Sequence, residues 1–200
     1  MFSNISGVIL AGGTNTRFDG RIKANLIIDG RTIISRITDI LNQVFSEIII
    51  VTNTPEEFGE YSRYKIVSDQ FRMVGPLGGI HAAMIASTGE ALFVVAGDMP
   101  LIEKSMIIRQ IEYFQNNKCD VLIPAVNQNI EPLHAIYNIS ILKRLEGYLT
   151  GDYGYAVREF FKSMDVNYMQ LEDSEKIKNA FTNINFPSDI SLVEKILRIR

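Results

Sequence analysis

Residues Ile5–Leu10, with the sequence ISGVIL, run directly into the stretch Ala11-Gly12-Gly13-Thr14-Asn15-Thr16-Arg17. Their largely apolar character is typical of a strand that is covered on both faces, as in a parallel sheet. The glycines that follow allow the backbone to approach a phosphate and to turn several N–H groups towards it. Arg17 and Lys23 add two cations that suit phosphate oxygens. This stretch therefore predicts an α/β fold that opens with a phosphate-binding loop, although a plain strand-ending turn with solvated charges is the alternative.

The rest of the chain alternates short runs rich in Ile and Val with segments of helical periodicity. Strands are predicted at residues 5–10, 47–52, 91–97, 120–124, 133–137 and 166–171, with a short extended segment at 181–184. Helices are predicted at residues 32–45, 78–87, 103–115, 139–149, 155–163 and 188–199. This alternation predicts one α/β domain over residues 1–200, with a Rossmann-like, mostly parallel central sheet and helices on both faces. In such sheets ligands bind beyond the carboxyl ends of the strands.

Composition narrows the class of protein. A chain of 200 residues with 46% hydrophobic and 22% charged residues fits a soluble globular domain. Its net charge of −3 argues against nucleic acid as a partner, because nucleic-acid-binding proteins usually carry a basic excess. The sequence shows neither a signal peptide nor an apolar run long enough to span a bilayer, so a cytoplasmic protein with no membrane partner is expected. The single cysteine, Cys119, can form neither an intramolecular disulfide nor a multi-cysteine metal site.

Two aspartates follow apolar runs: one follows a predicted strand and the other a shorter run. Asp98 comes directly after the run at residues 91–97, where a carboxylate would face the ligand crevice and could bind Mg²⁺ together with substrate phosphates. A helix cap or a turn is the structural alternative for Asp98. Asp69 ends the run KIVS and is either a nucleotide contact or a surface turn residue. Gly78 lies among glycines ahead of a helix, a pattern that suits close packing on a base or ribose but also an ordinary loop.

Further polar candidates lie in the second half of the chain. Asn183 and Asn185 flank Ile184, so both amides face one side of an extended segment and could bind a hydrated metal or a polar ligand. Turn formation ahead of Pro187 is the alternative. His134 stands between apolar residues, which is more typical of a structural hydrogen-bonding histidine than of a catalyst.

The spacing Leu10-Ala11-Gly12-Gly13-x3-Arg17-x5-Lys23 resembles the signature loop of the molybdenum cofactor guanylyltransferases, the molybdopterin-guanine dinucleotide biosynthesis protein A type. The resemblance extends in order over almost the whole chain, through Gly75-Pro76-Leu77-Gly78-Gly79-Ile80, Asp98-Met99-Pro100, Pro132-Leu133-His134-Ala135 and Phe181-x-Asn183-Ile184-Asn185-x-Pro187. It implies a nucleotidyltransferase fold and a Mg²⁺-dependent enzyme that transfers GMP from GTP to the phosphate of molybdopterin, releasing pyrophosphate. It also implies possible transient contact with cofactor-delivery or acceptor proteins.

The resemblance assigns expected roles to individual residues. The expected catalytic residues are Arg17, Lys23 and Asp98, with Asp98 as the metal ligand. Nucleotide binding is expected from Leu10, Ala11, Gly12, Gly13, Lys23, Asp69, Gly78 and Asp98. The pterin side is expected to involve His134, Asn183 and Asn185.

The chain departs from the family pattern between Arg17 and Lys23. The loop usually reads Arg-Met-Gly-x-x-Asp-Lys, whereas here Asp19 stands at the usual glycine and Ile22 at the usual carboxylate. Three alternatives follow from the residues: a related nucleotidyltransferase that uses CTP or a sugar or isoprenoid phosphate acceptor, a non-catalytic nucleotide-binding regulator, and a dinucleotide oxidoreductase. The last is disfavoured because the G-x-G-x-x-G pattern is missing.

Overall fold

The computed structural model describes residues 1–12, 18, 20–71, 73–151 and 155–199. Its strands are β1 Ile5–Leu10, β2 Ile27–Ile28, β3 Arg31–Thr32, β4 Ile48–Val51, β5 Lys65–Val67, β6 Ala91–Ala96, β7 Val121–Val126, β8 Asn129–Ile130, β9 His134–Asn138 and β10 Val166–Leu171. Its helices are α1 Ile33–Leu41, α2 Pro76–Ala86, α3 Lys104–Asn116, α4 Leu142–Leu149, α5 Val157–Phe161, α6 Glu175–Ala180 and α7 Pro187–Ile199. Short 3₁₀ turns cover Lys23–Asn25, Pro55–Tyr61 and Ile139–Ile141.

A mostly parallel sheet forms the centre of the described structure. The strand order is β10-β7-β9-β6-β1-β4-β5, and β8 folds back on β7. β1 pairs in parallel with β4 and β6, β4 with β5, and β7 with β10. β9 runs antiparallel to β6 and β7, with His134 opposite Val95. The start of β9 therefore lies at the same edge of the sheet as the carboxyl end of β6.

Both faces of this sheet are covered by helices, as the apolar runs predict. Along β6, Phe93 and Val95 pack in one cluster with α1, α3 and α7, while Leu92 and Val94 pack in a second cluster with α2, α4 and α5. Successive side chains of a strand point to opposite faces, so a strand that is buried on both sides must be apolar at almost every position. The predicted α/β fold with a mostly parallel sheet is confirmed.

The predicted elements and the observed ones differ mainly at their ends. The helix predicted at 32–45 ends at Leu41, because the backbone of residues 44–46 turns to bond Phe2 instead. The strand predicted to end at Pro124 continues to Val126, and the helix predicted at 155–163 is confined to Val157–Phe161. The segment 181–184 forms no strand; its Ile184 N–H donates to the carbonyl of Asp98 at 2.9 Å.

Several short elements are absent from the sequence-based prediction. They are β5, β8, helix α6, the hairpin of β2 and β3, and the 3₁₀ turns at Lys23–Asn25 and Pro55–Tyr61. Asp29 and Gly30 connect that hairpin, both with positive φ (48° and 74°), and an Asp-Gly dipeptide between two short strands is the usual sequence signal for such a turn. None of the described helices is both long and apolar enough to cross a membrane.

A polar cluster around Glu47 joins β1, β4, β5 and the turn after α2. The Glu47 carboxylate accepts hydrogen bonds from Lys65 Nζ at 2.6 Å, Ser6 Oγ at 2.5 Å and the Thr88 N–H at 2.9 Å. Burial by itself would raise the pKa of Glu47, but these donors outweigh it and hold the pKa at about 2. The charged form of Glu47 is therefore stabilised by folding.

We predict that Glu47→Gln lowers the free energy of unfolding at pH 7 by about 1–3 kcal/mol, because charge-assisted hydrogen bonds are lost. The folded pKa of about 2 lies below the ordinary value of 4.5, so the Glu47 contribution is present above pH 4.5 and is lost as the pH falls towards 2. Denaturant unfolding of the wild type and the variant at pH 7 and pH 3 measures this. Glu60→Gln, at an exposed position, is the matched control, and an equal loss in both variants would contradict the prediction.

Candidate active site

The ends of β1 and β6 approach each other closely and form the floor of the site. The Gly97 N–H donates to the Leu10 carbonyl at 2.9 Å, and the Ala11 N–H donates to the Val51 carbonyl at 2.8 Å. A Cβ on Gly97 would lie 3.0 Å from the Leu10 carbonyl oxygen and 3.1 Å from Ala11 Cα. Glycine is therefore favoured where the chain leaves β6 and turns to present Asp98, because a larger residue would push these backbone atoms apart.

Lys23, Asp98 and Asn185 meet at this edge, although they are far apart in the sequence. Lys23 Nζ donates to Asp98 Oδ2 at 2.8 Å and to Asn185 Oδ1 at 3.1 Å. The side chains of Lys23 and Asp98 are 20% and 19% exposed, so the ion pair is shielded but can still be reached by a ligand. The structure thus brings together one predicted cation, the predicted metal ligand and one of the two predicted asparagines.

The segment that carries Asn185 is held in place by hydrogen bonds that its backbone N–H groups donate. The Ile184 N–H bonds the Asp98 carbonyl, and Asp189 Oδ2 accepts from the N–H groups of Asn185 and Phe186, both at 2.8 Å, at the start of α7. Asn183 behaves differently from Asn185, because its amide nitrogen donates to the Phe181 carbonyl at 3.2 Å. The two amides, predicted to act together, therefore have different partners.

Asp69 lies on the other side of β1, beyond the end of β5. Its N–H donates to Asn53 Oδ1 at 3.1 Å, and Asn53 Nδ2 lies 3.5 Å from Asp69 Oδ2. Burial raises the pKa of Asp69, and the Asn53 hydrogen bond opposes this in part. Asn53 was recognisable in the sequence only as a polar residue after an apolar run, and its pairing with Asp69 required the tertiary structure.

Helix α2 begins beside Asp69 and leaves no space there for side chains. A Cβ on Gly78 would lie 2.7 Å from the Phe71 carbonyl oxygen, and one on Gly79 would lie 3.0 Å from Leu10 Cδ2 and 3.4 Å from Asp69 Oδ1. Gly75 caps the helix with a φ of 65°, a conformation that favours glycine. The predicted nucleotide residues Leu10, Ala11, Asp69 and Gly78 are thus neighbours.

The remaining members of the opening loop are described only in part. Gly12 is exposed, with open space around it. Gly13 and Arg17, predicted to bind the nucleotide and to take part in catalysis, lie outside the described residues, as does the departure at Asp19. The second departure, Ile22, is packed against the core beside the Lys23 turn.

His134 is fully buried and is not brought to the Lys23–Asp98 pair. Its ring lies edge-on between Phe93 and Phe181, with centroid distances of 5.0 and 5.2 Å. Burial lowers the pKa of His134 to about 4, so the ring is neutral at pH 7. Neither ring nitrogen has a hydrogen-bond partner among the described residues, and the ring contacts no open surface. A pterin-lining role for His134 remains a prediction.

A cavity of about 370 Å³ opens next to Asp98, on the side of β9 and β7. We call it the Glu131 cavity. Its apolar lining includes Met99, Leu133 and Val157, and its polar lining consists of Glu131, Asn183 and Arg158. Burial raises the pKa of Glu131. In the sequence, the only signal for Glu131 is that a carboxylate stands directly before the Pro-Leu-His-Ala motif.

The oxygens around Lys23 fit a magnesium ion that is completed by a substrate. Mg²⁺ is usually bound by one or two carboxylates together with phosphate oxygens and water. Asp98 and Asn185 supply a carboxylate and an amide oxygen that already hold one cationic group, the Lys23 ammonium. Among the described residues, no group of three or more His, Cys, Asp or Glu side chains could hold a metal by itself. Substrate phosphate oxygens and water are the ligands that would complete a metal bound by Asp98 and Asn185.

Comparison with known families and proteins points to one class of enzyme. Residues 7–168 match the family described as the MobA-like NTP transferase domain. A probable molybdenum cofactor guanylyltransferase of Natranaerobius thermophilus is 30% identical over 98% of both chains. One from Pelotomaculum thermopropionicum is 35% identical over 92% of this chain and 89% of its own length.

Solved structures share the fold at lower identity. Molybdopterin-guanine dinucleotide biosynthesis protein A from Archaeoglobus fulgidus superposes with a TM-score of 0.81 at 23% identity, over 98% of this chain and 100% of that one. CMP:2-keto-3-deoxy-manno-octonic acid synthetase, solved with CTP, gives a TM-score of 0.77 at 12% identity over 98% of both chains. Nucleotidyltransferases thus share this arrangement of the sheet.

We predict that Gly78→Ala lowers the free energy of unfolding by about 1–3 kcal/mol, because the added methyl group meets the backbone carbonyl of Phe71 rather than a flexible side chain. Gly147→Ala is the matched control, since Gly147 lies in α4 with no atom near its Cβ position. That control should be neutral or stabilising by up to about 1 kcal/mol. Thermal unfolding of both variants measures this, and equal stability of the two would show that the loop yields without strain.

Proposed function

Since the chain belongs to the family of MobA-like NTP transferase domains and is a nucleotidyltransferase of molybdenum cofactor biosynthesis, we propose a specific reaction for it. It transfers GMP from GTP to the phosphate of molybdopterin and releases pyrophosphate. The observation that carries the proposal is the contact of Lys23 with Asp98 and Asn185 at the carboxyl end of β6. This contact supports the proposal because it gathers a cation and two side-chain oxygens at the edge where α/β sheets bind their ligands.

In this proposal the nucleoside of GTP lies against Leu10 and Ala11, beside the start of α2, where Gly78 and Gly79 let the helix pack closely on Leu10 and bring Asp69 next to it. The Asp69 carboxylate, partly desolvated and bonded to Asn53, accepts a hydrogen bond from a ribose hydroxyl or from the base. Its carboxylate lies directly beside these two glycines, at 3.6 and 3.4 Å from their Cβ positions.

Charge neutralisation occurs at Lys23. Its ammonium is shared between Asp98 and Asn185 and turns to the phosphate oxygens when the triphosphate enters. Asp98 and Asn185 are then free to hold Mg²⁺, which when bound neutralises further negative charge on the phosphates. Gly12, Gly13 and Arg17 supply N–H groups and a second cation from the opening loop.

The transfer itself requires no protein nucleophile. A phosphate oxygen of molybdopterin attacks the α-phosphorus of GTP in line; the new P–O bond forms as the bond to the pyrophosphate oxygen breaks. The protein contributes positioning and charge stabilisation, which provide most of the acceleration in reactions of this kind. Cofactor-delivery and acceptor proteins would contact the same open edge transiently.

We predict that Lys23→Ala and Asp98→Asn each lower kcat by about 100-fold or more, because each removes one well-placed electrostatic group from the transition state. Pyrophosphate release from GTP and molybdopterin in the presence of Mg²⁺ measures the rate. Lys176→Ala, which removes an exposed lysine of α6, is the matched control and should keep wild-type activity. Folded variants as active as the wild type would exclude these roles. GTP binding by the wild type without pyrophosphate release would contradict the reaction and favour a nucleotide-binding regulator.

We predict that kcat/KM with GTP exceeds that with CTP by about 10-fold or more when molybdopterin is the acceptor, because a site that hydrogen-bonds one base leaves its polar groups unpaired with the other. The name guanylyltransferase, which the relatives carry, supports GTP as the substrate, whereas a structural neighbour was solved with CTP. Turnover with both nucleotides, and with a sugar phosphate and an isoprenoid phosphate as other acceptors, decides between them. Equal or faster turnover of CTP, or of another acceptor, would replace the proposed substrates.

A further inference from the structure

The Glu131 cavity adjoins the candidate site. Pro76, at the start of α2, lines it, whereas Leu10, Ala11, Asp69 and Gly78 do not. Met99 and Asn183 line it, and Met99 directly follows Asp98. Its volume of about 370 Å³ and its mostly apolar lining fit the usual description of a small-molecule pocket, in which a few polar groups set the orientation of the ligand. A flat ring system could therefore lie between its apolar walls with its polar edge towards Glu131.

Glu131 is held rigidly with respect to the reacting centre. Its N–H donates to the Pro124 carbonyl and its carbonyl accepts from the His134 N–H, both at 3.1 Å. The Leu133 carbonyl then accepts from the Ala96 N–H at 3.0 Å, two residues before Asp98. This chain of backbone bonds fixes the turn of residues 131–134 against the end of β6. A ligand bound by Glu131 is therefore placed at a defined distance from Asp98.

The charge of Glu131 has no partner within the described part of the chain. No side chain or N–H there donates to its carboxylate, and burial alone accounts for its raised pKa. Arg158 lines the same cavity but forms no salt bridge with Glu131. A half-buried carboxylate without a hydrogen bond is destabilising, and a ligand with two adjacent N–H donors would remove that penalty. This is unlike Asp98, whose carboxylate is already paired with Lys23.

We propose that the Glu131 cavity binds the heterocycle of the acceptor substrate, and that the Glu131 carboxylate selects it by accepting hydrogen bonds from a ring N–H and the amino group beside it. The inference rests on the proposed function, because the pterin ring of molybdopterin presents such an edge. Its phosphate then points back along the cavity towards Lys23. Arg158, exposed at the rim, is available to a negatively charged group of the same ligand.

Guanine has a similar N–H and amino edge, but the order of the strands argues against GTP as the occupant. The Asp69 carboxylate lies beside Gly79, whose Cβ position is 3.0 Å from the Leu10 side chain of β1, whereas Glu131 precedes β9. Strand β6, which leads to Asp98, lies between β1 and β9, so the two carboxylates flank the Lys23–Asp98 pair on opposite sides. A base that is held by Asp69 beside Leu10 leaves Glu131 without a partner. Glu131 is therefore left for the second substrate.

The test compares substrate affinities of the wild type with those of Glu131→Gln. The glutamine keeps the shape but turns an N–H group towards a donor of the ligand. Binding of molybdopterin, followed by its pterin fluorescence without GTP, should weaken about 10-fold or more, as expected for a lost charge-assisted hydrogen bond. Binding of GTP, followed by calorimetry without molybdopterin, should change less than twofold. Glu159→Gln, on the neighbouring helix α5 and outside the cavity, is the charge-matched control and should change neither affinity.

Two simple probes test which edge of the ligand ring Glu131 binds. They are pterin and its 2-oxo analogue lumazine, which lacks the amino donor. The wild type should bind pterin more tightly than lumazine, and Glu131→Gln should reduce that preference. Loss of GTP affinity in Glu131→Gln would instead assign the cavity to the base and overturn the inference. Unchanged molybdopterin affinity would overturn it while leaving GMP transfer intact. Conversely, Glu131-dependent pterin binding without pyrophosphate release would refute the proposed reaction but keep the pterin site.

Discussion

The close approach of the chain beyond β1 and β6 is the constraint on which the site depends. The Gly97 N–H donates to the Leu10 carbonyl at a point where a Cβ would crowd the backbone atoms of Leu10 and Ala11, so the two loops leave the sheet in contact. Asp98 is therefore delivered to the opening loop, and the carbonyl of Asp98 in turn receives the N–H of Ile184. A segment from near the end of the chain is thereby joined to a loop at its beginning.

The carboxylates along this edge of the sheet differ in how many hydrogen-bond partners they have. In the centre, Lys23 balances Asp98 and holds Asn185, so the site is held together before any ligand enters. To either side lie partly buried carboxylates with raised pKa values, Asp69 with one amide partner and Glu131 with none among the described residues. Polar groups that are fixed in place but lack hydrogen-bond partners are typical of binding sites, because the ligand supplies the missing hydrogen bonds. In the proposed reaction the centre would take the phosphates and the two flanks the two ring systems.

Most of the fold could be predicted from the sequence because its signals are local. Doubly buried strands must be apolar at nearly every position, and β1 begins and ends where its apolar run does. The short elements were harder to predict. β5 and α6 have three and six residues, which are too few to show the periodicity of a strand or a helix. The helix at 32–45 stopped early because the backbone at residue 44 pairs with Phe2, a contact between distant parts of the chain that no local pattern contains.

For the candidate site, residue types and order along the chain were sufficient to find Lys23, Asp98, Asp69 and Asn185, since glycine-rich turns and polar residues after buried strands can be seen in the sequence. Which of them meet was decided by the tertiary structure. Asn185 reaches Lys23 whereas Asn183 bonds its own segment, and His134 is enclosed by Phe93 and Phe181 rather than exposed to a ligand. Glu131 became a candidate only because the antiparallel strand β9 starts where β6 ends. Burial and pairing depend on contacts between residues far apart in the chain, and such contacts exist only once the sheet has set the order of its strands.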